Sequence, residues 1–490
     1  MKFARLLIAL VLSGMVAARA QTPATFTTEK VGGLPDHIDG SDISKDGNHC
    51  LIVGESNDAD SKVMAYYDGS RVGGAYDYYD DDDGETLLSS NGLETAFTVE
   101  ASGNVFVVHN GIDSPGYYKA DLLRFSPDGS RLAFTAKSDD KYFVVVDGSA
   151  GQKHDDVFSP SFSPDSSQLA YFTKDDSKYM VVVNGRQGPQ FDDVDHPVIF
   201  SADSKHVAYA AKRGEHWLIV LDGEAEAEYD DAYEFTFSPD SQHSAYAVEK
   251  DGKWVLVADG KESAPYDRIA DIVYSADGKS LAFVALEGDK EMVVLNGAEG
   301  PAYDSINDTS LHFRPDGTLD YTASNDLKWF MVVNGKPGFK YDAIDNIVYS
   351  ADGKHVAYAA KNGADEVAVE DGAEDTPHLV VGKVALSFDG AHLAYTARDA
   401  GLWFVVADGK QQAFYDSIQA GWPRFSADGK RLAYCATTGQ NEFVVVAGVA
   451  SDPYDAIYGD GPTFQPDGTL SGLVEKDRVV YRLKSPPPAN

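Results

Sequence analysis

"RFSPDGSRLAFTAKSDDKYFVVVDG", Arg124 to Gly148, returns 37 residues later, altered, as "SFSPDSSQLAYFTKDDSKYMVVVNG". The opening of its turn recurs at Ile43, Leu88, Phe125, Phe162, Phe200, Phe237, Tyr274, Phe313, Tyr349, Leu386, Phe425 and Phe464. After the first step the copies stand 36 to 39 residues apart. A fixed period of this size over most of a chain marks a repeat architecture. The motif is therefore the building unit of the fold rather than an active-site signature.

The seventh unit, "DIVYSADGKSLAFVALEGDKEMVVLNGAEGPAYDSI", shows what one copy builds. "DIVY" alternates and is β-rich, and "SADG" is a tight turn, with Gly supplying positive φ. "SLAFVA" is a second strand, "EGDK" a second turn and "EMVVLNG" a third strand. The stretch to "YD" leaves room for a short fourth. No helical periodicity appears after the leader. In "RLAFTA", Leu132 and Phe134 point one way and Ala133 and Thr135 the other. A bulky face on one sheet can then settle on the small face of the next. Twisted sheets stacked about an axis make a β-propeller.

"FSPDGSRLAFTA" and "YSADGKSLAFVA" resemble the WD-like repeats of TolB-type β-propellers, and similar repeats form the propeller of prolyl oligopeptidase-like peptidases. The resemblance covers roughly residues 25 to 485. It implies an all-β propeller of twelve repeats. Neither the α/β domain that precedes the TolB propeller nor the hydrolase domain of the peptidases is visible. The count fits two six-bladed propellers, residues 21–268 and 269–484, followed by a Pro-rich tail, 485–490. One wide ring, or seven plus five blades, fits it too. "TFTTEKV" near the start is expected to pair with "DRVVYRL" of the last repeat and close a ring.

Residues 1–20, "MKFARLLIALVLSGMVAARA", read as a secretory signal peptide: Lys2 and Arg5, a short apolar run, then Ala18-Arg19-Ala20. An exported protein, periplasmic or extracellular, is expected. The run is too short to span a bilayer, and no later segment is long and apolar enough. The formal net charge of −37 argues against nucleic acid and direct membrane insertion, because phosphates and anionic headgroups are repelled. It serves either the solubility of an exported protein or the binding of a basic partner, such as another envelope or secreted protein, or of a cation. Cys50 and Cys435 are expected to be free buried thiols.

No G-x-S-x-G, P-loop, H-E-x-x-H or C-x-x-C occurs after the leader, so no enzyme is expected and no catalytic residue or cofactor is assigned. The histidines at 49, 206, 243, 355 and 392 share a repeat position with Arg131, Gln168 and Arg431, which reads as a solvated hairpin edge. Two repeated features remain as candidates. The first is "YD", whose aspartates Asp230, Asp267, Asp304, Asp342, Asp416 and Asp455, with Asp192 after Phe191, should form an acidic ring. Those carboxylates either accept backbone N–H bonds above a packed aromatic ring or hold a basic partner or cation. The second is the series Trp217, Trp254, Trp329 and Trp403, which either packs between blades or stacks on sugar rings. The insertion "YDYYDDDDGE", Tyr76 to Glu85, reads as a solvated acidic loop, with a calcium site as its alternative. The first expectation is thus a non-catalytic scaffold for protein–protein interaction. A glycan-binding propeller lectin and an enzyme with its site in a propeller channel are the alternatives.

Overall fold

In the "SPDG" stretch, Ser126 to Gly129 close a turn through the Gly129 N–H and the Ser126 carbonyl at 2.8 Å. Asp128 fixes it from inside. Its carboxylate accepts from the Ser126 hydroxyl at 2.6 Å and from the Ser130 N–H at 2.9 Å. Gly129 has φ +75°, which only glycine adopts without cost. Some units place serine there, and each such serine ties neighbouring repeats together. Ser166, at φ +68°, accepts the Asp128 N–H on its hydroxyl at 3.0 Å. Ser204 and Ser241 do the same for Asp165 and Asp203. At Gly390 nothing larger fits, since a β-carbon would lie 2.2 Å from the His355 ring.

The computed structural model describes residues 24–35, 37–55, 62–80, 84–195, 197–307 and 309–487. The signal-peptide residues 1–20 lie outside them. Every described secondary-structure element is a β-strand. Each repeat is one antiparallel sheet whose strands pair in chain order, except the last, whose outer strand comes from the start of the described chain. The third repeat has Lys119–Phe125, Leu132–Ser138, Lys141–Val146 and the short Ser149–Ala150. The first strands of adjacent sheets touch one another, whereas the fourth strands are solvent-facing, so the first strand of each blade is innermost. Most inner strands carry a central bulge. Leu122, Glu234, Asp271 and Asn346 sit in it at φ of 53° to 55°. A bulge adds twist and bends a strand at an inner rim.

Blades meet as the strand faces require. Leu132 and Phe134 of blade 3 pack on Ala96 and Val107 of blade 2, while Ala133 receives Leu169 and Tyr171 of blade 4. This seam repeats around the molecule. Ala170 of blade 4 meets Val207 and Tyr209 of blade 5, and Ala357 of blade 9 meets Leu393 and Tyr395 of blade 10. Blades 6 and 7 join in the same manner, through Ala245, Ala247, Ile269 and Phe283. Blade 12 packs on blade 1 through Leu473, Val480, Cys50 and Ile52. The fold is therefore a twelve-bladed β-propeller in one ring. The expected division into two six-bladed rings is corrected to the wide-ring arrangement, because the seam between the sixth and seventh blades is built like the rest.

The ring is closed by the first strand. Thr27–Gly33 pairs antiparallel with Val479–Ser485, from Thr27 opposite Lys484 to Gly33 opposite Val479, and completes blade 12. Polar contacts hold this seam. The Arg482 guanidinium donates to the Asn48 carbonyl at 2.6 and 2.9 Å and to the Asp68 carboxylate at 3.2 Å. The Gln465 side chain donates to the Asp46 carbonyl. Both cysteines are free and buried, and burial pushes the Cys50 thiol up to about 12.

Phe134→Ala is expected to lower unfolding stability by about 3–5 kcal/mol, read from urea midpoints, because a core ring would leave a cavity. The turn aspartates set a pH dependence. Their serine hydroxyls lead in holding Asp128, Asp165 and Asp277 at about 2, below the ordinary 3.8, followed by a local backbone N–H at Asp128 and Asp165 and by the Lys279 ammonium at Asp277. Their contribution is complete above 3.8. It is lost as pH falls toward 2, where the unfolded chain binds protons that the folded chain does not. Urea midpoints should therefore drop between pH 4 and pH 2, and replacing the three aspartates by Asn should flatten that drop.

Candidate functional site

The seven "YD" aspartates lie at one rim of the ring, where each inner strand begins. Each is anchored in the same way. Its own N–H donates to the carbonyl at the end of the second strand, as from Asp267 to Leu286 at 2.8 Å. One carboxylate oxygen accepts a turn N–H between the second and third strands: Gly214 for Asp192, Asp251 for Asp230, Gly288 for Asp267. Asp326, Gly363, Gly439 and Asp477 serve Asp304, Asp342, Asp416 and Asp455. Beneath them the preceding rings are buried, apart from the half-buried Tyr415, with Tyr266 touching Phe283 edge-on at 5.9 Å. The seven aspartates thus share one repeated position, and each caps a turn.

A second partner escaped the sequence reading. The other oxygen of several of these aspartates accepts from a lysine at the start of the preceding blade's third strand. Lys253 reaches Asp267 at 2.7 Å, while Lys290 reaches Asp304 and Lys328 reaches Asp342 at 2.5 Å. Lys178 reaches Asp192 likewise. The Lys253 ammonium, and then the Gly288 N–H, hold the Asp267 carboxyl below its ordinary value; Lys290 and Lys328 do so for their partners. His216 stands 3.9 Å from Asp230. The signal was present as a constant separation of 14 residues between Lys and Asp. Each such clasp spans two blades, and four of the seven aspartates are answered in this way by a lysine of the protein.

The tryptophans occupy one seat, second in the third strand. Trp217, Trp254, Trp329 and Trp403 each stand opposite the next Tyr: 229, 266, 341 and 415. All four are half-buried, and Trp254 meets Tyr233 edge-on at 4.6 Å. In blades 7, 9 and 11 the seat holds Glu291, Glu366 and Glu442 instead. Their carboxylates accept the N–H of Ile306, Val381 and Ile457 on the next inner strand, at 2.6 to 2.9 Å. A seat that takes either a flat ring or a backbone-binding carboxylate serves the seam between blades. Trp422 is fully buried, with its N–H on the Asp460 carbonyl at 3.1 Å and the Arg424 guanidinium over its ring.

The opposite rim carries the histidines as half-exposed pairs. His206, His243, His355 and His392 hold Asp222, Asp259, Asp371 and Asp408 through Nδ1 at 2.6 to 2.9 Å. His206, His243 and His392 also lie beside Phe237, Tyr274 and Phe425 of the next blade. Those aspartates were missed. Their signal is the fixed separation of 16 residues from the histidine. Facing the centre, a concavity of about 560 Å³ lies between the inner strands of blades 6 and 7, lined by Tyr233, Glu234, Phe235, Arg268 and Asp271.

The insertion is not wholly a solvated loop. Tyr76 and Tyr79 are buried, and the Glu85 carboxylate accepts the Leu122 and Leu123 N–H groups at 2.6 and 2.8 Å. Those contacts tie blade 2 to the bulge of blade 3. Its residues 81–83, and with them most of the calcium reading, lie outside the described residues, as do residues 56–61.

No family model and no curated protein matches the chain. Solved structures give distant likenesses. A eukaryotic initiation factor is 12% identical at TM-score 0.36, over 83% of this chain and 100% of that one. The Dos1 propeller is 10% identical at TM-score 0.29, over 67% and 91%. TolB from Acinetobacter baumannii is 14% identical at TM-score 0.24, over 59% and 75%. The twelve-bladed ring is established by the chain's own strand pairing and seams.

Proposed function

We propose that the chain is a non-catalytic scaffold, of TolB-like repeat type, that binds another envelope or secreted protein in the periplasm or outside the cell. One observation carries the reading. The rim that bears the aspartates also bears several large exposed apolar side chains: Tyr118 at 78% exposure, Leu327 at 91%, with Leu379, Leu402 and Phe414. Apolar anchors set among polar groups are what protein interfaces use. The ring beneath supplies rigidity, since each blade is held by two neighbours. Export rests on the pattern of residues 1–20.

The glycan reading needs open indole faces, whereas the four Trp seats lie in seams. Iodide should quench the folded protein's Trp emission less than half as well as that of the urea-unfolded chain. Equal quenching would return sugar stacking to first place. For the scaffold itself, the chain from Gln21 is immobilised, exposed to an exported-protein fraction and cross-linked. A specific protein joined to aspartate-rim residues is expected, with release by salt. Cross-links confined to the histidine rim, or retention of glycans alone, would overturn the reading.

A further inference from the structure

The Lys–Asp clasps do not run all the way round. Lys62–Asp77, Lys141–Asp155, Lys178–Asp192, Lys253–Asp267, Lys290–Asp304 and Lys328–Asp342 fill their seams. From blade 9 onward the cation is gone in three consecutive seams. The paired seats hold Asp365 and Leu379, then Leu402 and Asp416, then Asn441 and Asp455. Asp416 and Asp455 still cap their turns, but no cation meets the other oxygen among the described residues. Asp365 now stands where six other seams put lysine.

The same sector is apolar at its surface. Leu379 is 56% exposed, Leu402 40% and Phe414 53%. They form one patch. Ala397 pairs with Phe404, so Leu402, two residues earlier in its strand, shares that face of blade 10; Leu379, in the bend before Val380, donates its N–H to Asp399, the residue opposite Leu402. Phe414 pairs with Phe404, their rings 5.2 Å apart, and the His378 ring lies 5.3 Å from Phe404. This face looks toward blade 9, where Phe404 packs on Ala357, Ala359 and Ala368. Arg398, at this end of blade 10, lies over Trp403 on the opposite face.

We propose that the rim of blades 9 to 11 is the docking site for a cationic amphipathic segment of a partner protein. Its apolar side chains would cover Leu379, Leu402 and Phe414, and its Lys or Arg side chains would take the cation places beside Asp365, Asp416 and Asp455. The occupant follows from charge complementarity: seats answered internally by lysine in six other seams are here left, three in a row, to an external cation. An acidic or purely polar segment fits neither half of the surface. The inference rests on the scaffold reading and narrows it to one sector and one partner chemistry.

The test uses variants that install the protein's own clasp. Asp365→Lys with Leu379→Asp, and separately Leu402→Lys, rebuild the pair found in six other seams, so both should fold and melt like the parent. A fluorescein-labelled peptide interleaving Lys with Leu and Phe is titrated by anisotropy, beside a Glu-for-Lys analogue and a Lys–Ser peptide. The parent should bind the first peptide alone, and each variant should bind it at least about tenfold more weakly. Equal binding to parent and variants would overturn the sector while leaving a scaffold that binds elsewhere. Equal binding of the Lys–Ser peptide would reduce the site to diffuse acidity and overturn it. No binding of any peptide would also overturn it. The scaffold reading then stands or falls on whether cross-linked proteins map to other blades.

Discussion

A bulky strand face resting on a neighbour's alanines is the contact on which everything else depends. Ala96, Ala170, Ala245 and Ala357 each give a second-strand floor to larger residues of the following blade. Single sheets of this size have no interior of their own. Burial comes only from stacking, so each blade is stable through its neighbours. The polar devices at the two rims act on a geometry that this packing has already set. The serine-lined turns, the aspartates above aromatic rings and the histidine pairs all bridge elements held in place by the seam.

Much of this was legible in the chain, for physical reasons. The turn needs Ser, Asp and a left-handed residue in fixed order, and a half-buried strand needs alternation, so both leave periodic marks. The pairing of "TFTTEKV" with the last repeat followed from the need to complete one sheet. Ring number was not legible. The residues joining blades 6 and 7 are of the same types as those joining any other pair, so nothing local distinguishes a seam within a ring from a break between rings. The spacing of "YD" places aspartates at one repeated position, and turn capping is one of the two uses that spacing suggests. Their lysine partners were not legible, because they lie in a different strand and appear only when separations within the period are compared. The histidine position was read as a mere edge for the same reason: its aspartate lies beyond two strands.

A repeated architecture turns small departures into information. Trp and Glu alternate in one seat without changing its purpose, since a ring fills the seam and a carboxylate binds its backbone. The loss of lysine beside Asp416 and Asp455 differs in kind. It removes an internal contact and leaves the residues it answered, together with exposed leucines. A substitution that keeps the seam speaks of folding, whereas one that strips the rim leaves carboxylates without their internal cation.

The strand that closes the ring comes from the extreme beginning of the described chain and pairs with its extreme end. During synthesis, each blade can stack as soon as its predecessor exists, because those contacts are local in sequence. The final pairing, Thr27 with Lys484, cannot form until the last blade has been made. Until then the twelfth sheet has an open edge, and the first strand has no partner. Folding is thus sequential growth followed by one long-range closure, the step with the greatest loop entropy to overcome. The interval before closure is when a nascent arc is most exposed to pairing with another copy of itself.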